Sequence, residues 1–216
     1  MKKVKILNKL SEAGVIGVVR GKTKKEALEI SKALVSGGVY GIELTFTVPE
    51  AASAIRELRD EYLAHPQVVV GAGTVLDATT ARLAIDAGAE YIVSPSFDAS
   101  TAEICNLYQI PYLPGALTIT EMTVALKAGV DIIKLFPGSA VGPSYIKAVK
   151  APLPHANIMP TGGVNYDNLE DWIKAGAVAV GAGSNLTHPF KGATMKDVAE
   201  TARKFVTRYK ELKAND

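Results

Sequence analysis

A single cysteine, Cys105, stands among the 216 residues, which excludes an intramolecular disulfide. The three histidines, His65, His155 and His188, are scattered and show no structural zinc spacing, and no metal is expected. No apolar run approaches the roughly 18 residues that a membrane-spanning helix needs. The opening stretch MKKVKILNKLSEAG interrupts its apolar residues with polar ones too often to form a signal-peptide core. A cytoplasmic protein without membrane contact is therefore expected. An excess of one charge is missing too: 24 Lys and Arg face 22 Asp and Glu, a net charge of +2. The basic clusters, MKKVK at the start and KTKK at 22–25, are too slight to support nucleic-acid binding.

What the sequence does contain is an alternation. With 48% hydrophobic and 21% charged residues it has the makeup of an ordered globule. Runs rich in Val and Ile predict strands at 15–20, 40–46, 67–73, 90–95, 111–116, 131–137, 156–163 and 177–184. Between them, apolar residues at i, i+3 and i+4 predict helices over 24–38, 50–63, 78–89, 119–130 and 165–177, with shorter crossovers near 100–108 and 143–150. Eight strands alternating with helices predict an α/β fold: a single-domain (β/α)₈ TIM barrel, with a doubly wound open sheet as the alternative. In this reading residues 1–14 form a short helix under the barrel, 15–187 carry its strands, and 188–216 form a C-terminal helix.

In such a barrel the chemistry gathers where the strands end. Arg20, Glu43 with Thr45, Thr74 and Lys134 stand at the ends of the first, second, third and sixth predicted strands. Glu43 lies between Ile42 and Leu44 in GIELTFTVP, and a carboxylate in a doubly buried strand needs a reason. A buried ion pair with Arg20 or Lys134 is the structural reason, and proton transfer the functional one. Lys134 in DIIKLFP is equally conspicuous. Either its stem packs while the ammonium reaches solvent, or it reacts. Only a free amine attacks a carbonyl to form a Schiff base, so a reacting Lys134 needs apolar surroundings that disfavour its charge.

Two further stretches, PTGGV at 160–164 and GAGSNL at 181–186, place glycines directly after the seventh and eighth predicted strands. Barrels often bind phosphate there through backbone N–H groups, although βα turns also use glycine for its conformation alone. GAGTV at 71–75 lacks the G-x-G-x-x-G spacing of a dinucleotide fold.

Together the segments VVR (18–20), GIELTFTVPEA (41–51), VVGAGTV (69–75), YIVSP (91–95), LPGALT (113–118), IIKLFPG (132–138), PTGGV and VGAGSNL (180–186) resemble the bacterial KHG/KDPG aldolases. The resemblance runs from about Ile6 to Thr187. It implies a class I aldolase needing no cofactor or metal, in which Lys134 forms a Schiff base with pyruvate and Glu43 handles protons through a bound water. It further implies that Thr74, Pro95 and Phe136 shape the pyruvate pocket, that Gly162, Gly163, Gly183 and Ser184 hold phosphate, and that the assembly is a homotrimer. Arg20, Thr45 and Thr161 complete the substrate-binding set expected on these grounds. The substrate implied is 2-dehydro-3-deoxy-6-phosphogluconate, its phosphogalactonate epimer or 4-hydroxy-2-oxoglutarate, with pyruvate and glyceraldehyde 3-phosphate as products of the phosphorylated acids. Where some members read TLRT after the glutamate, with an arginine on the pyruvate carboxylate, this chain reads TFTV. Phe46 is taken to stand in that arginine's place, which leaves the carboxylate to Thr74, backbone donors or Arg20. Another phosphate-binding barrel enzyme, an isomerase or decarboxylase, and a silent phosphometabolite-binding protein are the remaining alternatives.

Overall fold

The structure, a computed structural model, describes residues 1–214. All eight expected strand regions carry strand: β1 (Val15–Val19), β2 (Gly41–Thr45), β3 (Val69–Gly73), β4 (Ile92–Val93), β5 (Tyr112–Leu113) with β6 (Gly115–Ala116), β7 (Ile133–Leu135), β8 (Ile158–Pro160) and β9 (Val180–Ala182). They do not form one closed eight-stranded sheet, which corrects the expected TIM barrel. A six-stranded parallel sheet runs β5-β4-β3-β2-β1-β9, and a separate three-stranded parallel sheet runs β6-β7-β8. The fold is an open, curled α/β half-barrel with a small second sheet.

The division has a visible cause at Pro114. The predicted fifth strand is one hydrophobic run, but proline lacks an N–H and cannot donate to a ladder. Pairing therefore changes sides across it: Leu113 pairs with Val93 in the first sheet, and Gly115 with Lys134 in the second. At the other seam, one isolated bridge joins Thr161 to Gly181. The Gly115 N–H also donates to the Ser94 carbonyl at 2.9 Å. The two sheets thus curl around a shared inner cluster that includes Ile16, Val69, Tyr91 and Leu113 from the larger sheet's side and Ile132 and Met159 from the smaller's.

Strand alternation separates two cores. In β2, Ile42 and Leu44 join the outer cluster under the helices, so Glu43 and Thr45 face inward. Helix α1 (Lys2–Ala13) closes the inner cluster from the N-terminal side. Its Ile6 and Leu10, one turn apart, are both buried there. Each such burial contributes about 1.5–3 kcal/mol.

The outer helices are α2 (Lys24–Ser36), α3 (Ala51–Glu61), α4 (Ala78–Asp86), α5 (Ala99–Leu107), α6 (Ile119–Lys127), α7 (Ser144–Lys150) and α8 (Leu169–Lys174). They are followed by the single turn α9 (Ser184–Thr187) and by α10 (Met195–Ala214), which packs on α2 and α8. The C-terminal helix therefore begins at Met195 rather than 188, and Asn215 and Asp216 lie outside the described residues. Among the described residues no helix is long and apolar enough to cross a membrane.

Several βα loops end on a side-chain cap. Thr23, Asp77, Asp98 and Thr118 each accept the backbone N–H three residues on. At α6 the cap is reciprocal, since the Glu121 carboxylate accepts the Thr118 N–H at 2.8 Å. The Thr118 and Leu117 backbone N–H groups hold the Glu121 carboxyl below its ordinary value of 4.5. Its stabilisation is therefore complete above that ordinary value and fades as pH falls through the lowered folded value. Thr118→Ala is expected to cost about 1 kcal/mol in urea unfolding at pH 7. That difference is expected to shrink as pH falls through the lowered folded value, where the carboxylate half of the box is also being lost.

Candidate active site

Glu43 and Lys134 come from different sheets and meet across the inner space. Glu43 sits in mid-β2, in register with Val18 of β1 and Gly71 of β3. Lys134 sits in mid-β7, between Gly115 of β6 and Met159 of β8. Their relative exposures are 0% and 5%, and Lys134 Nζ lies 3.4 Å from Glu43 Oε1. Nζ also stands 5.0 Å from the Phe136 ring centroid, within cation–π range.

Glycine makes the room. A Cβ at Gly73 would lie 2.3 Å from Glu43 Oε1 and 2.6 Å from its Cγ, so the carboxylate rests directly over this residue. A buried pair of this kind is a poor stabilising device, because desolvating two charges consumes most of their attraction. Glu43 Oε2, moreover, is buried without a hydrogen-bond partner among the described residues. Two apolar side chains would serve stability as well, so the pair calls for a chemical reason.

Around this pair the other expected residues fall into distinct positions. Thr45 is buried; its hydroxyl donates to the Val19 carbonyl at 3.0 Å and lies 2.7 Å from the Thr47 hydroxyl. Thr161 is buried at the end of β8, with Gly181 leaving space for its Oγ1, which a Cβ would approach to 2.3 Å. Thr74 follows Gly73 directly and is half-buried at a left-handed φ of 56°. Pro95 is half-buried, its carbonyl pressed against Gly115. Phe136 is half-buried, with its ring edge 3.7 Å from where a Cβ would stand on Gly162.

Gly162 and Gly163 take φ values of 88° and 79°, which other residues adopt only with strain. Gly183 has open space on its side-chain position and leads into α9, where Ser184 is exposed. Arg20 ends β1 in an exposed position and makes no ion pair among the described residues, so Lys134 rather than Arg20 is the partner of Glu43.

Two points go beyond the expected set. Matched letter by letter, TLRT against Thr45-Phe46-Thr47-Val48 puts Thr47, not Phe46, opposite the arginine. Tyr91 was missed. Its ring lies in the inner cluster and packs over Gly71, where a Cβ would sit 2.4 Å from the ring. Alternation along 91, 93 and 95 was the available signal, because it turns Tyr91 to the same side as Pro95.

Fold and site together define an α/β protein that buries an amine beside a carboxylate among strands, an arrangement suited to carbonyl chemistry. Comparison with known families then gives the particular one: residues 6–202 match KDPG and KHG aldolase, and the chain belongs to that family. It is 35% identical over 198 residues to the 2-dehydro-3-deoxy-6-phosphogalactonate aldolase of Escherichia coli K12, covering 91% of this chain and 95% of that one. It is 33% identical to the 2-dehydro-3-deoxy-phosphogluconate aldolase of Treponema pallidum, over 84% of this chain and 85% of that one. A solved KDPG aldolase from Legionella pneumophila, with pyruvate captured at low pH as a covalent carbinolamine intermediate, superposes with a TM-score of 0.82. The identity there is 26%, over 94% of this chain and 97% of that one.

Proposed function

We propose that this aldolase cleaves a phosphorylated 2-keto-3-deoxy sugar acid reversibly to pyruvate and glyceraldehyde 3-phosphate, through an imine on Lys134. The observation that carries the reading is the buried Lys134 amine 3.4 Å from a buried carboxylate, Glu43, in a chain of this family. The carbinolamine captured in the Legionella relative supports the covalent route.

In the cleavage direction the amine adds to the C2 carbonyl, and loss of water leaves an iminium. The C4 hydroxyl then gives its proton toward Glu43 as the C3–C4 electrons flow into the iminium. This releases the aldehyde and leaves an enamine, which takes a proton at C3. Water then hydrolyses the resulting imine, freeing pyruvate and the amine.

Gly162, Gly163, Gly183 and Ser184 are proposed to receive the phosphate, since they follow the ends of β8 and β9, Gly163 and Ser184 are exposed, and Gly183 has open space at its side-chain position. Thr45, Thr74, Pro95, Phe136 and Thr161 are proposed to enclose the pyruvate portion, with Arg20 meeting substrate from the rim. Metal independence belongs to the same proposal. In support, no group of three His, Cys, Asp or Glu side chains among the described residues could hold an ion. A homotrimer is the assembly proposed by family resemblance.

The test is pyruvate release, coupled to lactate dehydrogenase, from the phosphogluconate- and phosphogalactonate-derived acids in the presence of EDTA. Turnover of at least one acid, undiminished by EDTA, is expected. Absence of pyruvate from both acids defeats the reading. The ratio of kcat/KM between the two names the preferred epimer.

A further inference from the structure

Strand β3 turns two glycines inward, and a different polar side chain lies over each. Tyr91 comes from the β4 side and covers Gly71, with its ring atoms Cε1, Cδ1 and Cζ 2.4–2.5 Å from where a Cβ would be. Glu43 comes from the β2 side and covers Gly73. The ring tip crossing Gly71 therefore points toward β2, whose residue in register with Gly71 is Glu43 itself.

The two glycines are about 6.6 Å apart along the strand. Two hydrogen bonds through one water span roughly 5.5 Å. Tyr91 Oη and Glu43 Oε2 are both buried without a hydrogen-bond partner among the described residues. A sealed tyrosine hydroxyl with no partner is a poorer core residue than phenylalanine, and buried polar groups in native proteins find partners, often water. Burial first, then the carboxylates of Glu43 and Glu90, push the Tyr91 phenol well above its ordinary value, so it remains a protonated donor.

We propose that Tyr91 is a positioning residue for the aldol chemistry: its hydroxyl, linked through one buried water to Glu43 Oε2, holds the carboxylate with Oε1 directed at Lys134. The proposal rests on the reading of Glu43 as the proton-handling group. It assigns Tyr91 no contact with substrate. Its effect lies in the steps that move protons, and imine formation on Lys134 does not depend on it.

The test is Tyr91→Phe, which keeps the ring over Gly71 and removes only the hydroxyl. In crystals of the wild-type protein at about 1.5 Å resolution, density is expected for a water within hydrogen-bond distance of both Tyr91 Oη and Glu43 Oε2. In the variant, kcat for cleavage and the deuterium exchange of the pyruvate methyl group in D₂O are expected to fall together, by about 5- to 20-fold. KM should stay within about twofold, and borohydride trapping of pyruvate should be undiminished. Tm should hold or fall slightly, because the lost hydroxyl was satisfied.

Missing water density overturns the proposal whatever the kinetics show. So does wild-type kcat in the variant, or a Tm rise of a few degrees with unchanged rates, the mark of a hydroxyl that had no partner. Failure of the wild-type protein to trap pyruvate overturns the imine reading instead, and the water density still decides the link between Tyr91 and Glu43.

Discussion

Replacing Lys134 with methionine is expected to lower pyruvate release by at least about 10⁴-fold and to abolish the mass added by pyruvate and borohydride. The wild-type protein should gain one reduced pyruvate adduct, on the peptide that contains Lys134. Methionine matches the unbranched apolar stem of lysine as far as Cε, but it offers no nitrogen. Lys134→Arg separates two roles that methionine removes together. The guanidinium keeps a positive charge near Glu43 but cannot form the imine, so an electrostatic role would survive the change and a covalent role would not. Stability gives a further check. Removing one member of a buried pair leaves the other charge uncompensated and costs about 3–5 kcal/mol. Lys134→Met combined with Glu43→Gln should recover much of that stability and none of the activity, so loss of folding cannot account for the lost rate. Retained cleavage in Lys134→Met, or an adduct on another residue, would refute the assignment.

The parts of the site written in local pattern were legible in the sequence. Alternation in GIELTFT sets Glu43 and Thr45 on one face, and the structure buries both there. Lys134 was conspicuous as a cation in an apolar run, and its burial removes the alternative in which its ammonium reaches solvent. The features that depend on pairing between distant strands were less legible. Nothing in the run PYLPGA announces that Leu113 and Gly115 pair with different sheets, although Pro114 marks the place where a ladder fails. The choice between Arg20 and Lys134 as the partner of Glu43 was open for the same reason: neither residue's own strand says which one faces the carboxylate, and only the curl of the two sheets decides it. The start of the last helix was placed seven residues early. His188 through Thr194 hold a proline and a glycine before the Thr194–Asp197 cap opens α10 at Met195. Tyr91 was read as part of a strand rather than as a polar group, because its hydroxyl becomes notable only once the fold buries it without a hydrogen-bond partner among the described residues.

Glu43→Gln isolates proton transfer from nucleophilic attack, because the amide keeps the carboxylate's shape over Gly73 and can still accept from Lys134 Nζ. Its expected signature is a dissociation of two readouts. Borohydride should still trap pyruvate on Lys134, while kcat for cleavage falls by about 10²- to 10⁴-fold, the usual contribution of one positioned acid or base. Deuterium exchange into the pyruvate methyl group should fall with it, because that exchange needs the proton at C3 to leave and return but needs no C3–C4 cleavage. This second measurement separates two possible tasks for one carboxylate. If exchange remains at the wild-type rate while cleavage is lost, Glu43 serves only the C4 hydroxyl and another group protonates the enamine. If both fall, a single carboxylate serves both positions, as expected for one that reaches over Gly73 to within 3.4 Å of the nitrogen where the imine forms. Cleavage near the wild-type rate in a variant that still traps pyruvate would remove Glu43 from the mechanism. The buried pair would then be a structural feature whose cost the fold carries for another reason.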